Sequence, residues 1–155
     1  MTSRRVLLIL VAIATTCFAA IVIRRALASD KTRIRWLFAD EAAAFNDCSA
    51  LSALSHFAPD WRDATTGTER RVLQAGLLWL FRHRRDPESQ RFLYRIEVGE
   101  IDVEVQDERA KASLPLVLHE GFDANEKAIW ELRVTAELGK HEGEWRIERS
   151  RHETE

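Results

Sequence analysis

From Phe92 to Ser150, apolar and polar residues alternate along most of the chain. Because successive side chains of a strand point to opposite faces, this period predicts a sheet with one apolar face and one face turned to water. Four runs carry apolar residues at every second position: Ile101, Val103 and Val105; Ala110, Ala112, Leu114, Leu116 and Leu118; Trp130, Leu132, Val134, Ala136 and Leu138; and Trp145 and Ile147.

The pattern also predicts where the strands bend and pair. Apolar residues occupy even positions before Gly99 and odd positions after it, which is the phase change that a β-bulge produces. A two-residue turn at Asp107 and Glu108 would then join two strands. The predicted pairs are Val105 with Ala110, Val103 with Ala112, Ile101 with Leu114 and Glu104 with Lys111. The last hairpin is predicted to turn at 139–143, pairing Leu138 with Trp145 and Ala136 with Ile147.

The residues before the sheet predict helices that cover its apolar face. Asp30 caps a first helix that runs to about Asn46, and Glu41 lies in the middle of its apolar stripe. A short helix over 48–56, with Leu51 and Leu54 inward, and an extended segment over 60–63 follow. The helix predicted over 69–83, capped by Thr68, is apolar round most of its circumference, so we expect it to be heavily buried. Helices followed by an antiparallel sheet make an α+β domain over residues 30–155.

The N-terminal residues 1–29 are predicted to form a membrane anchor. Residues 6–23 contain no charge and are about long enough to span a bilayer as a helix, and arginine pairs bracket them. A cleaved signal peptide is the alternative, because Ala26 and Ala28 have the spacing of a cleavage site; Arg24 and Arg25 argue against it. The short basic tail favours a single-pass protein whose domain is extracytoplasmic, although the Lys and Arg count after the span favours the opposite orientation.

Charge and cysteine content exclude several classes of protein. The chain has a net charge of −2, and residues 1–29 hold four arginines and no acid, so residues 30–155 carry −6. A nucleic-acid-binding domain would present a basic face, and the tetrad at 82–85 is too short to form one. Cys17 lies in the predicted span, so it cannot pair with Cys48, and we expect no disulfide in the domain.

The order of these elements resembles the nuclear transport factor 2-like, or cystatin-like, superfamily of cone-shaped α+β domains. The resemblance covers roughly residues 30–150 and is carried by the 46–63 segment, the covering helix and the closing strand at 144–147. It implies a bent sheet that encloses a cone. The superfamily includes ketosteroid isomerase, scytalone dehydratase, polyketide cyclases and membrane-anchored scaffold domains of bacterial secretion and transport assemblies, so the fold alone does not choose a function.

The sequence contains no motif for a metal or a cofactor, and none is predicted. No two of the five histidines lie at ligand spacing, and there is no glycine-rich phosphate loop or G-x-S-x-G motif. The acidic ladder Glu100, Asp102 and Glu104 is typical of a solvated strand face, with a calcium or partner surface as the less favoured alternative.

Two charged residues occupy positions that the pattern places inside the cone. Glu41 lies within an apolar helix stripe, and Arg149 continues the inward parity of Trp145 and Ile147. If both point inward they would pair, because an unpaired buried charge is costly. Alternatively, Glu41 lies at the edge of the helix and the last strand has left the core by Arg149. The candidate pocket residues are Glu41, Trp61, Tyr94, Trp130 and Arg149.

Two functional hypotheses follow. The first is a membrane-tethered, non-catalytic domain that binds a protein or a small apolar ligand, with the sheet face available for a protein partner or a homodimer. The second is a small lyase or isomerase that acts on an apolar ligand inside the cone, with Glu41 as its base. A ligand-sized cavity that contains an ionisable side chain would favour the second hypothesis.

Overall fold

The computed structural model describes residues 28–154. Its six strands form one sheet in the order β1-β6-β5-β4, and β2 and β3 both pair with β4. In chain order the elements are α1 (Asp30–Asn46), a 3₁₀ turn (Ser52–Leu54), β1 (Phe57–Asp63), α2 (Arg70–His83), β2 (Tyr94–Val98), β3 (Asp102–Gln106), β4 (Arg109–Glu120), a second 3₁₀ turn (Asp123–Asn125), β5 (Lys127–His141) and β6 (Glu144–Thr154).

The bend predicted at Gly99 is confirmed by the strand register. Val98 pairs with Leu116 and Asp102 pairs with Ser113, so three residues of one strand oppose two of the other. The turn at Asp107 is confirmed as well. The register contains the predicted pairs Val105 with Ala110, Val103 with Ala112 and Glu104 with Lys111.

The last hairpin differs from its prediction. Leu138 pairs with Ile147 and His141 pairs with Glu144, so the turn contains only Glu142 and Gly143. Both turn residues have positive φ, 52° and 85°, as the tight primed turns of hairpins require. Further along, Glu137 pairs with Arg149, which leaves Glu148 as an extra residue in β6. This bulge reverses the inward and outward positions of β6 beyond residue 148.

The sheet is mixed, and the prediction of a wholly antiparallel sheet is wrong at one edge. Strand β1 runs parallel to β6, with Phe57 opposite Ile147 and Asp63 opposite Ser150. The sequence pattern showed β1 only as an extended segment, because its buried residues Ala58, Trp61 and Asp63 do not fall at every second position.

Helix α1 packs on the apolar face of the sheet, and its N-cap lies one residue before the predicted cap Asp30. Ser29 is the N-cap, and its hydroxyl accepts a hydrogen bond from the backbone N–H of Thr32. The carboxylate of Asp30 instead accepts hydrogen bonds from the indole N–H of Trp145, at 3.0 Å, and from Lys140. The hydrogen bond from Trp145 is the main reason that the pKa of Asp30 is lowered.

Helix α2 is much less buried than its sequence predicted. Phe81 is its buried residue, and Val72, Leu78 and Trp79 are largely exposed. Its N-cap is Glu69 rather than Thr68. In the preceding segment Leu54 is buried as predicted, whereas Leu51 is 73% exposed.

The ends of α2 are fixed to the rest of the domain. At its start, the guanidinium of Arg70 donates to the carbonyl of Leu54. At its end, the ring of Phe81 makes edge contacts with the rings of Phe45 and Phe92, with centroids 5.3 and 5.1 Å away. The middle of the helix therefore spans a gap between two anchored ends.

The predicted anchor at 6–23 lies outside the described residues. Among residues 28–154, no helix is both long enough and apolar enough to cross a membrane.

Candidate functional site

A cavity of about 690 Å³ lies between the two helices and the apolar face of the sheet. Its size is within the range of sites for drug-sized ligands. Helix α2 covers it with Leu73, Leu77 and Leu80, so the gap under the middle of that helix is the cavity itself. Most of its wall is aliphatic or aromatic, and the strands contribute Ile96, Val98, Leu114, Leu116, Leu118, Leu132 and Val134.

Glu41 brings a carboxylate into this apolar wall and pairs with His56. The residue is 9% exposed. Its Oε1 lies 2.7 Å from His56 Nδ1 and accepts a hydrogen bond from the backbone N–H of His56 at 3.1 Å. A carboxylate only accepts, so an ionised Glu41 requires the proton of His56 to be on Nδ1. The predicted pairing of Glu41 with Arg149 is therefore wrong.

Two polar atoms of the cavity wall have no partner among residues 28–154. They are Oε2 of Glu41 and the indole nitrogen Nε1 of Trp61, and both are buried. Trp61 is held by an edge contact with the ring of Phe57, with centroids 5.0 Å apart. Buried polar atoms are nearly always hydrogen-bonded in folded proteins, so a buried acceptor and a buried donor on residues that line the cavity are candidate contacts for a ligand's polar groups.

A second carboxylate, Asp63, is enclosed by donors where β1 ends. Its Oδ1 accepts hydrogen bonds from the backbone N–H groups of Thr65 and Thr66, at 3.1 and 2.8 Å, and from the Thr66 hydroxyl. Its Oδ2 accepts from the Ser150 hydroxyl at 3.2 Å. Burial raises the pKa of Asp63, but the hydrogen bonds from Thr66, the nearby His152 and Ser150 outweigh it, so the pKa lies below the usual 3.8.

Asp63 also orients His152 at the cavity wall. The Oδ2 atom lies 3.3 Å from Nδ1 of His152, and the ring makes an edge contact with Trp130. The hydroxyl of Thr65 donates to the carbonyl of His152 and accepts from its backbone N–H, which fixes that residue against the end of β1. An ionised Asp63 holds the proton of His152 on Nδ1, so Nε2 is left as a hydrogen-bond acceptor or base.

The structure brings together four of the five candidate pocket residues. Glu41, Trp61, Tyr94 and Trp130 all line the cavity, although Trp130 lies at its exposed rim. Burial and a hydrogen bond to Glu120 raise the pKa of Tyr94. Arg149 is exposed and does not line the cavity.

The bulge at Glu148 explains both the wrong assignment of Arg149 and the residues that were missed. Before the bulge, Trp145 and Ile147 point inward; beyond it, Ser150 and His152 take the inward side and line the cavity. His152 could not be found from hydrophobic alternation, because the residues that mark the new phase of β6 are polar.

The arrangement can bind an apolar molecule and offers it two kinds of polar contact. Glu41 and Trp61 offer a carboxylate oxygen and an indole N–H. Near the end of β1, the arrangement offers a histidine whose proton is fixed by a carboxylate. A histidine oriented in this way can accept a proton from a bound molecule and return it.

No family model matches the chain, and no curated protein matches its sequence. Solved structures do match its fold. A protein of unknown function from Mycobacterium tuberculosis is 20% identical with a TM-score of 0.68, over 81% of this chain and 72% of that one. A nuclear transport factor 2-like protein with a cystatin-like fold from Novosphingobium aromaticivorans is 18% identical with a TM-score of 0.65, over 85% and 86%. A scytalone dehydratase candidate from the same organism is 12% identical with a TM-score of 0.66, over 81% and 84%.

These likenesses show the fold. The described domain has the cystatin-like, nuclear transport factor 2-like fold that the order of its elements predicted. The neighbours include proteins of unknown function as well as enzyme candidates, so the likeness is compatible with a ligand-binding or a lyase-type role and specifies neither.

Proposed function

We propose that this domain binds a small, largely apolar molecule in the cavity under α2. The observation that supports the proposal is the pair of unpartnered atoms, Glu41 Oε2 and Trp61 Nε1, on residues that line a largely apolar cavity of about 690 Å³. Hydroxyl groups of a ligand would donate to Glu41 and accept from Trp61, which satisfies both atoms.

Equilibrium dialysis with a tetracyclic phenol tests this proposal. Estradiol is a suitable probe, and its analogue without the phenolic hydroxyl is the matched control ligand. Glu41→Gln should weaken binding of the phenol by about tenfold or more, because the hydrogen bond to a charged acceptor is lost. Binding of the deoxy analogue should change much less, since it makes no such bond.

The position of the ligand is tested by two substitutions on neighbouring residues of β4. Leu116 lines the cavity, whereas Val117 does not. Leu116→Trp should fill part of the cavity and abolish binding, and Val117→Trp, on the opposite face of the same strand, should leave it unchanged. Equal binding by both variants would place the ligand elsewhere.

A second candidate function is proton transfer to and from the bound ligand, as in a lyase or isomerase. The observation that favours it is the contact between Asp63 and Nδ1 of His152, which leaves Nε2 able to act as a base at the cavity wall. The proton would pass from a carbon next to a carbonyl group of the ligand to Nε2 and then return to the ligand.

Deuterium exchange distinguishes ligand binding alone from proton transfer by His152. A polycyclic ketone incubated with the protein in heavy water should gain deuterium beside its carbonyl group if His152 acts as a base. His152→Gln should abolish the gain, while His141→Gln, an exposed position in the last hairpin, should not. Binding of the ketone without deuterium exchange would support the non-catalytic binding function.

A further inference from the structure

Helix α2 presents an apolar face to the surface beside the mouth of the cavity. Val72, Leu78 and Trp79 are 61, 53 and 54% exposed. On β5, Ile129 and Trp130 are 43 and 46% exposed. Trp79, Ile129 and Trp130 also line the cavity, so they form its rim and join the helix face to the mouth. Exposed apolar patches of this kind mark interaction surfaces.

Arginines that form no ion pair within the described domain border the same face. Arg71, Arg82, Arg84 and Arg85 are exposed, and among residues 28–154 none of them forms an ion pair with a carboxylate. Residues 70–85 contain five arginines and no acid, whereas residues 28–154 together carry a formal charge of −5. Residues 70–85 thus carry a formal charge of +5, and the remaining described residues carry −5 − 5 = −10.

We propose that α2, with Ile129 and Trp130, docks on the surface of a bilayer that contains anionic lipid. A helix that combines an apolar face, a tryptophan and bordering arginines has the composition of a helix that lies in the membrane interface. The acidic remainder of the domain would be repelled by the same surface, so the charge distribution selects the orientation with α2 towards lipid.

This orientation has a structural consequence that does not depend on which ligand the cavity holds. The rim residues would face the lipid, and the mouth of the cavity would open into the apolar part of the bilayer. An apolar molecule could then enter without crossing water. The predicted anchor would bring the domain to the same surface, but the docking face is inferred from residues 71–85 and 129–130 alone.

Tryptophan fluorescence of the full-length chain provides the test. All five tryptophans lie in residues 36–145, so quenching by lipid reports on the domain and not on residues 6–23. The chain is reconstituted into vesicles of phosphatidylcholine with brominated acyl chains, with and without phosphatidylglycerol. We expect quenching with phosphatidylglycerol, and its loss in the variant with both Trp79→Phe and Trp130→Phe.

A charge variant and its matched control complete the experiment. Replacing Arg71, Arg82 and Arg84 with Gln should weaken docking by about fivefold per arginine. The same change at Arg109, Arg149 and Arg151, which are exposed on other elements, should not weaken it. Quenching that is absent, or that falls equally in both triple variants, would overturn the proposal. So would a dimer in lipid-free solution that buries Trp79.

Discussion

Gly99 lies against the ring of Pro115. A Cβ built on Gly99 would lie 2.6 Å from Cγ of that proline, and Gly99 donates its backbone N–H to the carbonyl of Pro115. The ring is rigid, so the two strands approach closely at the bend only because residue 99 has no side chain.

Gly99→Ala should therefore lower the free energy of unfolding by about 1–3 kcal/mol, as for overpacked sites. Gly76 is the matched control, because it lies in α2 and a Cβ there meets nothing within 4 Å. Gly76→Ala should raise the free energy of unfolding by about 0.5–1 kcal/mol, since alanine favours the helix. Urea denaturation of both variants measures the contrast, and a neutral Gly99→Ala would contradict the account of the bend.

Acid should destabilise the domain partly through Asp63. Its pKa in the folded state lies below the usual 3.8, so ionised Asp63 contributes stability above that value and the contribution is lost as pH falls through the lowered pKa. Asp63→Asn should cost about 1–3 kcal/mol at neutral pH. It should also flatten the fall in stability below about pH 4. Asp60→Asn, on the same strand but exposed, should leave both properties unchanged.

The two residues Leu77 and Phe81 should respond very differently to truncation. Phe81 is buried in the aromatic cluster, so Phe81→Ala should cost about 3–5 kcal/mol. Leu77 faces the cavity, so Leu77→Ala should cost less than the 2–5 kcal/mol typical of a fully packed leucine. Equal losses in thermal or chemical denaturation would mean that α2 packs more closely than the structure shows.

Glu41 should be energetically coupled to His56 and not to Arg149. A double-mutant cycle of Glu41→Met with His56→Phe should give a coupling energy of about 0.5–3 kcal/mol, because the two side chains are in contact. The cycle of Glu41→Met with Arg149→Met should be additive, since Arg149 is exposed on the far side of β6. Coupling in the second cycle would contradict the phase assigned to that strand.

Extraction with alkaline carbonate tests the membrane anchor predicted at 6–23. We expect alkaline carbonate to leave the chain in the membrane pellet at its full mass, because an uncharged apolar run of this length is stable in the bilayer. Release into the supernatant, or a mature N-terminus near Ser29, would contradict the prediction.

Hydrophobic alternation predicted β2 to β5, including the bend at Gly99, because every second residue there is apolar and marks the phase. It failed in β6 for a physical reason. The bulge residue Glu148 and its neighbour Arg149 are both charged, and the inward residues beyond them are polar, so no apolar side chain records the change of face. As a result, the exposed Arg149 was predicted to line the pocket, and His152 was missed.

The burial of α2 was overestimated for a different reason. The period of a helix shows which residues are apolar but not what lies opposite them, and here one side faces a cavity and another faces the exterior. Glu41 was recognised as a charge in an apolar stripe, yet its partner His56 depends on how the chain returns after α1, which the local pattern does not determine.

The parallel pairing of β1 with β6 constrains how the domain can fold. Phe57 and its partner Ile147 are 90 positions apart, so this edge of the sheet closes only after the intervening helix and four strands exist. Contacts of such long range slow folding, because the entropy of closing the loop is lost before they form. A nascent chain that pauses before Glu144 leaves β1 without its partner and the aromatic residues Phe57 and Trp61 uncovered, and such a chain would be prone to aggregate or to need a chaperone.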